Sequence, residues 1–412
     1  MFTAPQKSHR KMTIVILSLC TQIWNPASAQ NYTTQVANLP PLGLMSFFPG
    51  GDAMELGLVE DLKGGFTFGL GAQTTYDSNF FLDENSPESE QTTEIIPQLY
   101  YTTDPEGGAP CMVTANYTPT FRSYLNNSDL NVFDQSGGVT LKLEGSKTRI
   151  KVYGKYDEFS GADRLSREFV NGSVLRTGVE GSYQIASRTS LNGGLTAAVS
   201  DYSTGNVTGS EIYTARVGSF WSATERFRFG PSVRYSSIKS DNTGNRDAWA
   251  LLMQARYRAG ERFGIMGSLG VETSNNSRDS GSNQTNLTGD LTARYDINEL
   301  WAWTNAIRYV TVPSPTEVNY IVNDLSLSTQ LDREFLRATL GMGLDLNVSD
   351  YVGVGTVLTV PDTENNLGAF VSYRRNIFSE RLAFDSRLRY AVNRGDADWD
   401  QLQITVGLNL KF

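Results

Sequence analysis

The sequence predicts an all-β fold, a transmembrane antiparallel up-and-down β-barrel of about eighteen strands with sixteen as the second choice, on three observations. Short segments alternate apolar and polar residues from Gly64 to Phe412, two kinds of connection alternate between them, and aromatic residues gather beside the connections. A period of two puts successive side chains on opposite faces of a strand, so one face suits lipid or a core and the other suits water. The pattern is plainest in the last eleven residues. Leu402, Ile404, Val406, Leu408, Leu410 and Phe412 share one face, and Gln403, Thr405, Gly407, Asn409 and Lys411 share the other. Beyond the N-terminal leader, no segment approaches the roughly 20 consecutive apolar residues of a membrane helix. Closed barrels are the other structure that satisfies all backbone polar groups within lipid.

At the N-terminus, Lys7, Arg10 and Lys11 precede the apolar run Met12 to Cys20 and the small-residue site Ala27-Ser28-Ala29. This reads as a cleaved secretory signal over 1–29. Residues 30–63 alternate poorly and contain Pro40, Pro41 and Pro49 beside Gly50-Gly51. They are expected to form a periplasmic N-terminal segment, or a small plug built on Leu42, Leu44, Met45, Phe47 and Phe48. The barrel then occupies 64–412.

Alternation and turn signals give strands at 64–79, 91–103, 110–125, 131–144, 148–160, 173–185, 189–203, 210–222 and 226–240. They continue at 246–258, 263–275, 285–296, 300–312, 331–347, 350–360, 366–377, 381–391 and 400–412. Short connections fall at Gly145-Ser146-Lys147, Ala186-Ser187-Arg188, Ala223-Thr224-Glu225, Ala259-Gly260-Glu261, Ile297-Asn298-Glu299, Asn347-Val348-Ser349 and Phe378-Ser379-Glu380. Longer polar ones run through 82–91, 161–172, 240–246, 275–285 and 393–399. Short periplasmic turns and long extracellular loops are the build of outer-membrane barrels. Residues 313–335 are expected to be a long outer loop, since an extra strand near 319–330 would break the even count.

Membrane barrels collect aromatics at the headgroup level. Tyr183, Trp221, Phe227, Tyr257, Phe263, Tyr295, Trp301, Trp303, Tyr351 and Phe378 lie beside the short turns, and Tyr124, Phe159, Tyr202, Tyr235, Trp249, Tyr309 and Tyr390 toward the other ends. Two girdles are expected.

Cleavage of the signal would take the formal net charge from −9 to −12, which makes nucleic acid an unfavourable partner. The only histidine, His9, lies inside the expected signal. The mature chain therefore cannot build a Ser-His-Asp triad, a Cys-His pair or a histidine-containing zinc site. Cys111 would be its only cysteine, with no histidine to activate it. No catalytic residue, metal site or cofactor is expected. Asp396-Ala397-Asp398-Trp399-Asp400 lacks the glycine and distal glutamate of a calcium loop. Gly69-Leu70-Gly71, Gly341-Met342-Gly343 and Gly353-Val354-Gly355 lie within strands with no following helix, where glycine relieves crowding.

With the apolar set facing lipid, the opposite face lines the lumen. It carries Lys151, Arg176, Arg216, Arg228, Arg234, Arg256, Arg294, Arg308, Arg337, Arg374, Arg387 and Arg389, against fewer carboxylates: Glu144, Glu180, Asp290, Asp345 and Asp385. The expected lumen is basic and the expected loops acidic. Such arginines either attract anions or hold interior salt bridges.

The terminal strand, with Leu408, Leu410 and a final Phe412, resembles the C-terminal assembly signal of bacterial outer-membrane barrels. The first hairpin, Tyr76-Asp77-Ser78-Asn79-Phe80-Phe81-Leu82 with an acidic loop and Ile95-Ile96-Pro97, resembles the opening of the putative β-barrel porin 2 family. Gln98 departs from that pattern, in which a small residue follows the proline. The resemblance spans roughly 64–412 and implies an outer-membrane pore, often associated with exopolysaccharide production. The expected location is the bacterial outer membrane, with lipid and the barrel-assembly machinery as partners. The expected function is passage of small solutes, anions favoured. The alternatives are a conduit for exopolysaccharide export, with periplasmic export components as partners, and a structural or adhesive barrel.

Overall fold

The structure is a computed structural model that describes residues 65–103, 110–162, 169–203, 208–240, 244–277, 284–313, 320–353, 363–377, 381–395 and 398–412. The expected signal, the N-terminal segment and the turn at Phe378-Ser379-Glu380 lie outside them.

The described residues form eighteen strands. They are β1 (Gly65–Asp77), β2 (Glu90–Thr102), β3 (Cys111–Tyr124), β4 (Val132–Glu144), β5 (Thr148–Ala162) and β6 (Phe169–Ala186). There follow β7 (Thr189–Tyr202), β8 (Ser210–Ser222), β9 (Phe227–Ser240), β10 (Gly244–Ala259), β11 (Phe263–Asn276) and β12 (Gln284–Asp296). The last are β13 (Trp301–Pro313), β14 (Tyr320–Phe335), β15 (Ala338–Gly353), β16 (Glu364–Asn376), β17 (Leu382–Arg394) and β18 (Trp399–Lys411). Each pairs antiparallel with its neighbours in sequence, and β1 pairs with β18 from Gly69↔Lys411 to Asp77↔Gln403. The sheet is therefore closed and has no free edge. A 13-residue strand is roughly 43 Å long and, tilted by about 40°, crosses a hydrocarbon layer of about 30 Å.

Why these residues form strands is visible in their faces. Along β18, Leu402, Ile404, Val406, Leu408 and Leu410 point outward while Gln401, Gln403 and Thr405 are buried on the inside. β10 repeats this with Trp249, Leu251 and Met253 at 53–60% exposure, alternating with Ala248, Ala250 and Leu252 at 1–2%. Large apolar side chains exposed on strand after strand, with polar ones inside, invert the pattern of a soluble protein. This outward surface is the lipid belt.

The end where β1 begins and β18 finishes holds the short turns, such as Ser187-Arg188 between β6 and β7 and Leu336-Arg337 between β14 and β15. By the rule for single-chain barrels it is the periplasmic end. At the other end, the outer mouth, connections run from three residues between β9 and β10 to twelve between β1 and β2.

The structure corrects the reading of 313–360. Residues 320–335 are not a loop but β14, hydrogen-bonded to β13 and β15 throughout. Asn347-Val348-Ser349 is not a turn; it lies inside β15, with Val348 outward and Asn347 and Ser349 on the inner face opposite Ser326 and Asp324. The true turn is Leu336-Arg337. The even count survives because β14 is gained while the described parts of the expected strands 331–347 and 350–360 beyond Leu336-Arg337 form the single strand β15; residues 354–360 lie outside the described residues. Polar residues on an inner wall have the composition of a turn, and only partner strands tell the two apart.

The wall is irregular in places, with a register shift at Gln184/Ala186 between β6 and β7 and a gap in the β8–β9 pairing around Pro231. The β2–β3 register runs from Thr92↔Tyr124 to Ile95↔Phe121 and resumes at Leu99↔Tyr117, and Pro97 and Pro119 fall opposite each other in the gap. Neither has an N–H to donate to a ladder.

Candidate functional site

The inner wall is the candidate site, and it has three tiers. In the middle tier, and up to the outer mouth at Arg122 and Arg246, arginines are tied to carboxylates on nearby strands. Arg122 donates to Glu94 at 2.6 Å, to Asp134 at 3.0 Å and to the carbonyl of Ser160 at 2.7 Å, its side chain 3% exposed. Arg234 and Arg246 share Glu272 at 2.8 and 2.7 Å. Arg234 also donates to Thr288, and Arg246 to the carbonyl of Thr311. Arg176 and Lys155 meet on Asp157, Arg389 binds Asp345, and Arg374 faces Asp385 at 3.6 Å. Arg216 instead donates to Gln254 at 2.8 Å, and Gln254 reaches Asn192 three strands away. Such contacts between strands that are not neighbours draw the wall inward.

Aromatic side chains on the inner face lie over glycines. Phe370 is opposite Gly343 and Tyr153 opposite Gly178, and a Cβ on either glycine would meet the ring at 2.6–2.7 Å. Glycine lets each ring lie flat on the wall, and the rings carry cations: Arg387 sits 4.5 Å from the Phe370 centroid and Lys151 4.8 Å from that of Tyr153.

The lower tier, toward the periplasm, is different. Arg228 of β9 and Arg256 of β10 are directly opposite each other, and Lys142 of β4 faces Lys151 of β5. Like charges in such register repel. Arg258, Arg228 and, five strands away on β5, Arg149 all repel Arg256. Arg149, Arg228 and Arg258 are solvent-exposed on the lumen side and have no ion pair among the described residues. This tier also holds the Arg294–Asp296 pair at 2.8 Å, but Arg149, Arg228 and Arg258 present their charge to the lumen.

The upper tier, at the outer mouth, adds apolar patches beside its buried polar groups. Ala198, Ile212 and Ile238 pack together across β7, β8 and β9, and Phe159, Val170 and Val174 pack with Tyr202 across β5, β6 and β7. Tyr320, Val322 and Tyr351 form a third patch with Val312.

Eleven of the twelve cations singled out in the sequence fall on the inward face of their strands. Arg337 does not: it is exposed in the β14–β15 turn, where its carbonyl accepts the Asn376 N–H. The expectation of a basic lumen with acidic loops is corrected, because Asp77, Glu90, Glu94, Asp134, Asp157, Glu272, Asp324 and Glu364 also lie on the inner wall. Arg122, Arg246, Arg149 and Arg258 were missed, although each shares the parity of polar residues on its own strand. The outer girdle is corrected too. Tyr124, Phe159 and Tyr202 point inward, and Tyr351 lies at the outer mouth rather than beside a periplasmic turn. Trp249 and Tyr390 are exposed outward, as are Tyr183, Trp221, Tyr257, Tyr295 and Trp303 at the other rim.

No protein-family model matches the chain, and no curated protein does. Solved structures do. The outer membrane protein OpdK from Pseudomonas aeruginosa is 15% identical, over 86% of this chain and 100% of that one, with a TM-score of 0.45. OccK2 (OpdF) of Pseudomonas aeruginosa in complex with glucuronate is 14% identical, over 87% and 100%, with a TM-score of 0.47. This chain is an outer-membrane β-barrel. That rests on its own closure, its even strand number and its lipid belt.

Proposed function

We propose that the barrel is a pore for small solutes that favours anions, and that the lower tier supplies the preference. The observation that carries this is the like-charged Arg228–Arg256 register, with Arg149, Arg228 and Arg258 exposed to the lumen and without an ion pair among the described residues. Rings of cationic side chains favour anions in a pore, and screening over about 8 Å makes charges on the wall count for more than charges on distant loops. A circular barrel of eighteen strands measures roughly 35 Å across its backbone, wide enough for an aqueous path beside its side chains. The resemblance to the porin 2 family supports the same reading. Glucuronate, the ligand named with OccK2, is an anion of the size such a path would take.

The experiment is a salt-gradient measurement on the purified chain in a planar bilayer. Replacing Arg228, Arg256 and Arg258 by serine should shift the reversal potential toward cation preference, changing the permeability ratio by about twofold or more. Arg337→Ser, in the turn, should leave it unchanged. A folded triple variant with the original reversal potential would overturn the assignment. The polysaccharide-conduit reading makes a different demand: no steady current until a periplasmic partner is added.

A further inference from the structure

The twelve residues between β1 and β2 do not stand away from the barrel. They turn into it. Phe80 is 6% exposed and Leu82 1%. The Phe80 ring lies 5.3 Å from that of Tyr124 on β3 and 6.0 Å from that of Phe169 on β6, and those two rings meet edge-on at 5.7 Å. Leu82 packs the other way, against Ala391 of β17 and Trp399 of β18. The segment thus spans the inside of the outer mouth from β17 to β6.

It is held there on every side. Gln401 and Gln403 both donate to the Asp77 carboxylate, and Gln401 donates also to the Asn79 carbonyl. Asn79 donates to the carbonyls of Asp83 and Asp400 and accepts the Asp83 N–H. At the other end Glu90, 1% exposed, accepts the N–H groups of Leu125, Asn126 and Asn127. Leu82 has a φ of +57°, the one positive φ outside glycine among the described residues. A leucine in the left-handed region marks a backbone position fixed by its surroundings against its own preference.

We propose that residues 78–82 form a fixed ledge that sets the aperture of the outer mouth, with Phe80 and Leu82 as the side chains that pin it to the wall. An outer loop that served only as a surface connection would be polar and would face water. This one buries two large apolar side chains within the lumen and anchors both ends by buried polar groups. A segment pinned inside the mouth occupies part of its cross-section, so the width that it leaves decides what crosses. The inference concerns size selection and does not depend on the charge preference assigned to the lower tier.

The test is single-channel conductance together with liposome swelling in a series of uncharged sugars. In Phe80→Ala/Leu82→Ala, conductance should rise by about twofold or more and larger sugars should enter, while the reversal potential in a salt gradient stays as in the parent. A folded double variant with unchanged conductance and size limit would overturn the ledge. A second variant leaves the packed rings in place. Phe81→Cys, in a chain whose Cys20 and Cys111 are serine, puts a thiol on the half-buried face of the same segment. A bulky thiol reagent should then reduce the current, and a current indifferent to complete modification would overturn the proposal as well.

Discussion

Arg122 shows what a single residue does inside this wall. Glu94, Arg122 and Asp134 lie on three successive strands, and each carboxylate has the same guanidinium as its cationic partner. A buried ion pair contributes little net stability because desolvation opposes the Coulomb gain, but removing one partner leaves charge stranded. Arg122→Ala should therefore cost about 3–5 kcal/mol, read from urea unfolding out of lipid vesicles. Neutralising all three positions together, as Glu94→Gln/Arg122→Met/Asp134→Asn, should recover most of that loss. A loss below about 1 kcal/mol for Arg122→Ala would mean that the carboxylates find water instead. None of this pairing could be read from the sequence. Arg234 and Glu272 are 38 residues apart and two strands apart, and only the register brings them together.

At the scale of the strand, parity was legible wherever one face is uniformly apolar, as in β18, β10 and β11. It failed in β14, where Leu325, Leu327 and Leu331 alternate with Ser326, Ser328 and Gln330 but Asn323 and Thr329 interrupt the outward row. The structure makes Leu327 lipid-facing and Ser328 lumen-facing. Leu327→Arg should then cost about 2–4 kcal/mol of barrel stability and Ser328→Arg far less, measured by refolding into vesicles. Equal costs at the two positions would favour the loop reading of 313–335. The same ambiguity explains the misplaced aromatics. Tyr124, Phe159 and Tyr202 were counted as lipid anchors from their distance to a loop, yet Tyr124 shares parity with Arg122 and Phe159 with Asp157. Distance along a strand gives height in the membrane, and parity gives the side.

For the molecule as a whole, closure converts local alternation into a channel with a charge profile along its axis. The outer mouth with its apolar patches, the ion-paired wall below it and the exposed arginines of the lower tier each draw on many strands. Arg228 and Arg256 meet because a three-residue connection sets the β9–β10 register, and Arg149 approaches them because the wall curves back on itself. The class of fold and most inward cations were therefore readable from period-two patterns. The tiers were not, since they depend on which inward residues share a level. The most direct test of the pore reading is the reversal potential of the unmodified chain, purified as a heat-modifiable barrel, in a planar bilayer under a potassium chloride gradient. Steady current with a reversal potential displaced toward the chloride equilibrium is the expected result, and a cation-side reversal potential, or a folded barrel that carries no current, would contradict it.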